Sequence, residues 1–199
     1  MGESKEIEKF MKNVILIHGY NGIPPVFKWL KTELNKREYK VIIPEFPVRE
    51  GVKYLNWKNI FNQYKDNLNE DSIVIAHSIG NEFLIKYMYE NTINIKMYIG
   101  LAGFSKSFIC EGKDDLTRAL KEFLVNDVEL DYFKKSVNKR YAIYSNDDHI
   151  VPFNILEDYV RTIEANPVYI EGIGHMGRKS NVEKIPEILE ILKDDLYKE

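Results

Sequence analysis

The stretch SIVIAHSIGN, residues 72–81, decides the fold. Its first half contains the run IVIA, which is continuously apolar, as is typical of a strand in a parallel sheet covered on both faces. The run stops at His77-Ser78, and the apolar spacing of a helix begins at once with Phe83 and Leu84. The stretch therefore predicts a strand that passes into a helix with almost no loop, and it places His77 and Ser78 on the turn between them.

The rest of the chain repeats this alternation of apolar strands and amphipathic helices. The predicted strands are residues 14–17, 40–43, 72–76, 96–101, 140–144 and 168–170. Six such strands with helices between them predict one α/β domain over residues 1–199, built on a three-layer, doubly wound parallel sheet. A longer segment, residues 102–139, separates the fourth and fifth strands and predicts a small helical insertion. Because ligands bind at the carboxyl ends of such strands, we expect the insertion to roof a pocket.

Composition and charge argue against several classes of partner. The chain has 28 basic and 31 acidic residues and a net charge of −3, unlike the basic surface of a nucleic-acid-binding protein. The N-terminal MGESKEIEKFMKN has no apolar signal-peptide core, and Glu6 departs from the myristoylation pattern. No run approaches the ~20 apolar residues of a membrane span. With Cys110 as its single cysteine, we expect a cytoplasmic protein that binds neither nucleic acid nor membranes.

The turn at Ser78 has two interpretations. The sequence Ala76-His77-Ser78-Ile79-Gly80 follows the strand–turn–helix motif G-x-S-x-G, except that alanine replaces the first glycine. In that motif a sharp turn exposes the serine hydroxyl as a nucleophile. The alternative is that Ser78 only caps the following helix, a role that suits serine well. A cap would not need small residues on both sides, so the pattern favours a nucleophile.

A nucleophilic serine requires a base, and the base requires an acid that orients it. In a sheet of this kind both follow the serine, the acid first, on loops at strand ends. His175, in EGIGHMG just after the last strand, is the predicted base. SNDDHIVP follows the fifth strand, and Asp147 is predicted over Asp148 as the acid because it lies nearer the strand end. Taken alone, the two aspartates would also fit a turn or a helix cap.

Two backbone N–H groups are the predicted oxyanion hole. One belongs to Ile79, directly after the serine, and the other to Tyr20 in the loop HGYNG after the first strand. Four aromatic residues of the insertion are candidates for an acyl pocket, although they fit the core equally well: Phe104, Phe108, Phe123 and Phe133.

Two further motifs suggest a dinucleotide site and a metal site, but the sequence around them argues against both. Residues 172–177 match G-x-G-x-x-G, but only 22 residues follow them, whereas a dinucleotide site needs a complete βαβ unit. Asp147-Asp148-His149 could contribute to a metal site, but no further cluster of ligands accompanies them. The sequence therefore predicts neither a cofactor nor a metal.

Taken together, HGYNG, AHSIGN, SNDDHIVP and GIGH resemble the α/β-hydrolase superfamily. Nearly the whole chain is similar to the small serine hydrolases of the RBBP9/YdeN type, including IPEFP and the tryptophan that follows it, Trp57. The resemblance implies a minimal six-stranded sheet of order 2-1-3-4-5-6 and catalytic roles for Ser78, Asp147 and His175. It supplies no protein partner for this chain.

The predicted function is that of a carboxylesterase-like serine hydrolase. We expect it to cleave small-molecule carboxylic esters through an acyl-enzyme, with thioesters and amides as further candidates. A fold of this type hosts many activities, so the natural substrate stays open. The rival prediction is a non-catalytic binding or scaffold protein that retains the hydrolase fold and an unused triad.

Overall fold

A computed structural model describes residues 12–110 and 112–196, and for 194–196 the description is of the backbone. Residues 1–11, on which the signal-peptide and myristoylation predictions depend, lie outside the described residues. The strands are β1 (Asn13–Ile17), β2 (Lys40–Ile42), β3 (Ile73–His77), β4 (Ile95–Leu101), β5 (Val137–Tyr144) and β6 (Asn166–Tyr169). The helices are α1 (Pro25–Asn35), α2 (Tyr54–Phe61), α3 (Gly80–Asn91), α4 (Asp114–Phe123), α5 (Asp127–Ser136), α6 (Phe153–Thr162) and α7 (Pro186–Leu196).

The strands form one parallel sheet of order β2-β1-β3-β4-β5-β6, which confirms the predicted fold class. Its register pairs Ile17 with Ala76 and His77 with Leu101. The carboxyl ends of β1, β3 and β4 therefore lie side by side, and the loops that leave them meet at one edge of the sheet.

The central strands are buried because helices cover both faces of the sheet. Every residue of β3 is buried, as its continuous apolar run predicts. Next to it lies an aromatic cluster in which the rings of Phe46 and Trp57 stack with centroids 4.5 Å apart. The indole N–H of Trp57 donates to the carbonyl of Pro47 at 2.9 Å, so this buried polar group is satisfied.

The segment between β4 and β5 contains two helices, α4 and α5. Leu116, Leu120 and Phe123 form the buried face of α4. The second helix is fixed at its start by a capping box, in which Asn126 and Glu129 exchange side chain to backbone hydrogen bonds. This helix ends directly where β5 begins, so the strand starts earlier than the sequence predicts.

Among the helices of residues 12–110 and 112–196, none combines the length and the apolar character needed to cross a membrane.

Candidate active site

Ser78 lies on the turn between β3 and α3 with a left-handed backbone, φ = +53°. This conformation is unfavourable for a residue with a side chain and costs of order 1–3 kcal/mol, so the surroundings must hold it. The Ser78 N–H donates to the carbonyl of Leu101 at 2.9 Å, and the Asn81 side chain donates to the carbonyl of Ser78 at 2.7 Å. Since the N-cap of α3 is Ile79 and no side chain caps it, the capping interpretation of Ser78 is wrong.

Glycines are required around the turn because neighbouring atoms lie too close to leave room for a Cβ atom. A Cβ atom added to Gly80 would lie 2.8 Å from the carbonyl oxygen of His18. One added to Gly19 would lie 2.8 Å from Nδ1 of His77 and 3.0 Å from Cβ of Ser78. Ala76, which replaces the first glycine of the motif, is fully buried within β3, so the strand accommodates its methyl group.

The structure brings Ser78 and His175 together, as the sequence predicts. Nε2 of His175 lies 3.1 Å from Oγ of Ser78. On the other side of the ring, Nδ1 lies 2.8 Å from Oδ2 of Asp148 and 3.1 Å from Oδ1. Because a carboxylate only accepts, Nδ1 carries the proton and Nε2 is free to accept the serine proton. This line of hydrogen bonds is the geometry of a nucleophile, a base and an orienting acid.

The assignment of Asp147 as the partner of His175 is therefore corrected to Asp148. Asp147 is exposed, and its Oδ1 accepts from the hydroxyl of Ser145 at 2.6 Å and from the N–H of Gly174 at 2.8 Å. It thus holds the loop that carries the histidine and does not contact the imidazole through a hydrogen bond.

Local turn geometry directs the two carboxylates apart. Oδ1 of Asp148 accepts from the N–H groups of Ile150 and Val151 at 2.8 and 2.9 Å, which turns its side chain inward until only 1% of it is exposed. An aspartate that accepts from the N–H two residues ahead is a recognised turn pattern. Asp147 also has an N–H two residues ahead, at His149, so neither this spacing nor nearness to the strand end distinguishes the two aspartates in the sequence.

The electrostatics keep Asp148 ionised. Burial alone would raise the pKa of its carboxyl, but the hydrogen bonds from His175, Val151 and Ile150 outweigh burial and hold the pKa below its usual value. The carboxylate can therefore stabilise a positive charge on the neighbouring imidazole.

His77, next to the serine, is a neutral buried group. Burial, followed by the charge of His175, lowers its pKa to about 3. Its Nε2 donates to the backbone carbonyl of His175 at 2.8 Å, and its Nδ1 has no hydrogen-bond partner in the described part of the chain. His77 thus fixes the backbone of the histidine loop to the end of β3.

The two predicted oxyanion-hole residues both lie beside the serine. Ile79 follows it directly, and Tyr20 lines the same cavity in a loop closed by a bridge between Gly19 and Gly22. His18 is an ordered loop residue, because Nδ1 donates to the carbonyl of Gly19 at 2.8 Å and Nε2 accepts from the N–H of Phe46 at 3.0 Å.

A cavity of about 30 Å³ lies at Ser78 and His175. Phe104 and Phe108 of the insertion line it, whereas Phe123 and Phe133 are fully buried in the core. The cavity shares Tyr20, His175 and Arg178 with a wider cleft of about 690 Å³. Among the described residues, no group of three or more His, Cys, Asp or Glu side chains could hold a metal ion.

Comparisons with known proteins concern the family and the fold of the chain. YdeN of Bacillus subtilis (strain 168) is 25% identical over 194 residues, which cover 94% of this chain and 98% of YdeN. The crystal structure of the ydeN gene product from B. subtilis superposes with a TM-score of 0.79 at 24% identity, covering 94% of this chain and 100% of that one. A carboxylesterase structure from Nitrososphaera gargenis has a TM-score of 0.70 at 15% identity, covering 94% and 90% of the two chains.

These solved structures share the α/β-hydrolase fold with this chain. The family model described as "Serine hydrolase" matches residues 14–194, which is nearly all of the sequence. The chain belongs to the serine hydrolase family.

Proposed function

We propose that this serine hydrolase cleaves small carboxylic esters through an acyl-enzyme on Ser78. The observation that carries the proposal is the continuous line of hydrogen bonds from the Ser78 hydroxyl through His175 to Asp148. A serine hydroxyl is a weak nucleophile until a base removes its proton, and this line provides that base together with its orienting carboxylate.

In the proposed reaction, Oγ of Ser78 attacks the acyl carbon while Nε2 of His175 takes the serine proton. Asp148 holds the imidazole in the required tautomer and stabilises its charged form. The N–H groups of Ile79 and Tyr20 stabilise the developing oxyanion. His175 then gives its proton to the leaving alcohol, and water releases the acid from Ser78 by the reverse sequence of proton transfers.

The size of the inner cavity favours a short acyl group. Its volume is about 30 Å³, and Phe104 and Phe108 provide an apolar lining. Esters are the preferred substrates in this proposal, since an alcohol leaves more readily than an amine; thioesters and amides are further candidates. The chemistry needs no cofactor or metal. We also propose a cytoplasmic location, because a chain with one cysteine, Cys110, forms no internal disulfide and fits a reducing compartment.

A fluorophosphonate probe tests the proposal, because it reacts covalently with an activated serine. We expect the wild-type protein to be labelled and Ser78→Ala to remain unlabelled. Ser107→Ala, which changes an exposed serine of the insertion, is the matched control and should be labelled like the wild type. Absence of both labelling and ester turnover in the folded wild-type protein would favour the scaffold hypothesis.

A further inference from the structure

We propose that Arg178 binds an anionic group of the substrate, so that the preferred esters carry a carboxylate on a short acyl chain. This inference rests on the proposed function, because it names the substrate class of the same site. It starts from the charges around the cavity at Ser78.

Among the described residues that line the inner cavity, Arg178 is the only one whose side chain carries a permanent charge. Five lining residues are apolar, and none of the described lining residues is acidic. The apolar lining residues are Phe104, Phe108, Leu116, Leu120 and Ile150. A substrate in this cavity therefore meets both hydrocarbon and a guanidinium.

The guanidinium of Arg178 is available for a ligand. In residues 12–110 and 112–196 no ion pair or hydrogen bond joins it to a carboxylate, and its side chain is exposed. It lies three positions after His175 and reaches towards the loop after β1, where Nη1 would be 3.9 Å from a Cβ atom on Gly22. Arg178 therefore lies between the loop that carries His175 and the loop after β1 that carries Tyr20.

The wider cleft strengthens this positive field. Among the described residues that line it, five are basic and three are acidic, although the whole chain has a net charge of −3. Asp115 is paired with Arg118 at 3.3 Å, which removes one residue of each sign and leaves four basic against two acidic residues. An excess of one sign of charge in a cleft raises the local concentration of oppositely charged substrates.

Carboxylate recognition fits this arrangement better than a neutral polar contact. The planar guanidinium can donate two parallel hydrogen bonds to a carboxylate, and such charge-assisted bonds are about twice as strong as neutral ones. The substrates expected are half-esters of short dicarboxylic acids, with the ester carbonyl at Ser78 and the free carboxylate at Arg178.

The test compares two series of p-nitrophenyl esters with the same acyl chain lengths. One series consists of the half-esters of succinic, glutaric and adipic acids, and the other consists of the butyrate, pentanoate and hexanoate. Release of p-nitrophenolate gives kcat/KM for each ester, and the rate with Ser78→Ala protein is subtracted as background. The measured quantity is the ratio of kcat/KM for the half-ester to that for the neutral ester.

We expect the wild type to prefer the half-ester about tenfold at one chain length or more, and Arg178→Gln to lower that ratio about tenfold. Arg178→Lys should keep part of the preference for the half-ester, because lysine keeps the positive charge but cannot donate two parallel hydrogen bonds to a carboxylate. Arg161→Gln, on α6 and outside the cleft, is the matched control and should keep the wild-type ratio. An unchanged ratio in Arg178→Gln, or a wild-type preference for the neutral ester at every length, overturns the proposal.

A binding measurement separates this inference from the proposed function. If the wild type turns over no ester, the proposed function fails, but calorimetry with monomethyl glutarate still tests Arg178. Binding to Ser78→Ala that is lost in the Ser78→Ala, Arg178→Gln double variant supports the anion site. Equal binding to both variants, or no binding to either, overturns it.

Discussion

Asp147 and Asp148 are neighbours in the chain but receive their hydrogen bonds from different groups. Asp148 faces the interior and contacts the imidazole of His175, whereas exposed Asp147 accepts from Ser145 and the N–H of Gly174. Both carboxylates have pKa values below the usual range. For Asp147 the main cause is the hydrogen bond from Ser145, while for Asp148 the hydrogen bonds overcome burial. The two side chains therefore allow a matched comparison.

We expect Asp148→Asn to lower kcat by roughly a thousandfold to ten-thousandfold, because asparagine favours the wrong imidazole tautomer. Asp147→Asn should lower it by less than about tenfold, since the amide oxygen can still accept from Gly174. Steady-state ester hydrolysis, with the folding of both variants checked by circular dichroism, gives the comparison. A larger loss in Asp147→Asn than in Asp148→Asn would restore the original assignment.

The sequence identifies Ser78 and His175 because each is defined by its neighbours along the chain. Gly80 must be a glycine where α3 crosses the backbone of His18, and the glycines around His175 place the loop after β6. The acid could not be chosen in this way. Its identity depends on which carboxylate accepts from Ile150 and Val151, and that is a matter of side-chain direction within a turn.

At the scale of elements, a buried carboxyl connects α3 with the loop after β4. Glu82, in the first turn of α3, accepts from the N–H of Phe104 at 3.2 Å through Oε1, and Oε2 is buried without a partner in the described part of the chain. Burial raises the pKa of Glu82 well above its usual value, and the hydrogen bond from Phe104 offsets this only in part. The carboxyl therefore keeps its proton to a higher pH in the folded protein than in the unfolded chain.

This pKa makes the stability of the fold depend on pH. The unfolded chain releases the Glu82 proton above about pH 4.3, but the folded protein retains it up to the raised pKa. The contribution of Glu82 to the free energy of unfolding is therefore complete at low pH and falls by up to about 1.4 kcal/mol per pH unit within this window. Glu82→Gln does not titrate and should gain stability relative to the wild type as the pH rises.

Urea unfolding at about pH 5 and about pH 7.5 measures this difference. Glu122→Gln, an exposed position on α4, is the control and should show the same difference from the wild type at both pH values. A pH-independent difference between Glu82→Gln and the wild type would mean that Glu82 titrates normally in the folded state.

The sequence predicts that the strands exist more reliably than it predicts where each strand begins. The sequence predicts all six strands, and the pattern is clearest in β1 and β3, whose residues are almost all buried and therefore continuously apolar. The first three residues of β5, Val137 to Lys139, are missed, since Asn138 and Lys139 are polar although they belong to the strand. Arg140 is satisfied there by donating to the carbonyls of Ile163 and Lys134, contacts that the sequence does not reveal.

In the molecule as a whole, the fold brings the segments that follow five of the strands to one edge of the sheet. The parallel register aligns the ends of β1, β3 and β4, and the loops after β5 and β6 complete the site. His77 ties two of these segments together through its bond to the carbonyl of His175. Topology therefore determines the site more than any single loop does.

The central claim is that Ser78, His175 and Asp148 act as one unit in ester hydrolysis. Residues that act as a unit give losses that do not add, because removing one already disables the others. The most direct measurement is kcat for the three single alanine variants and for the triple variant, on one neutral p-nitrophenyl ester. We predict that Ser78→Ala lowers kcat about a thousandfold or more and that the triple variant is no slower than Ser78→Ala. Losses that multiply across the three sites, or a Ser78→Ala variant as fast as the wild type, would contradict it.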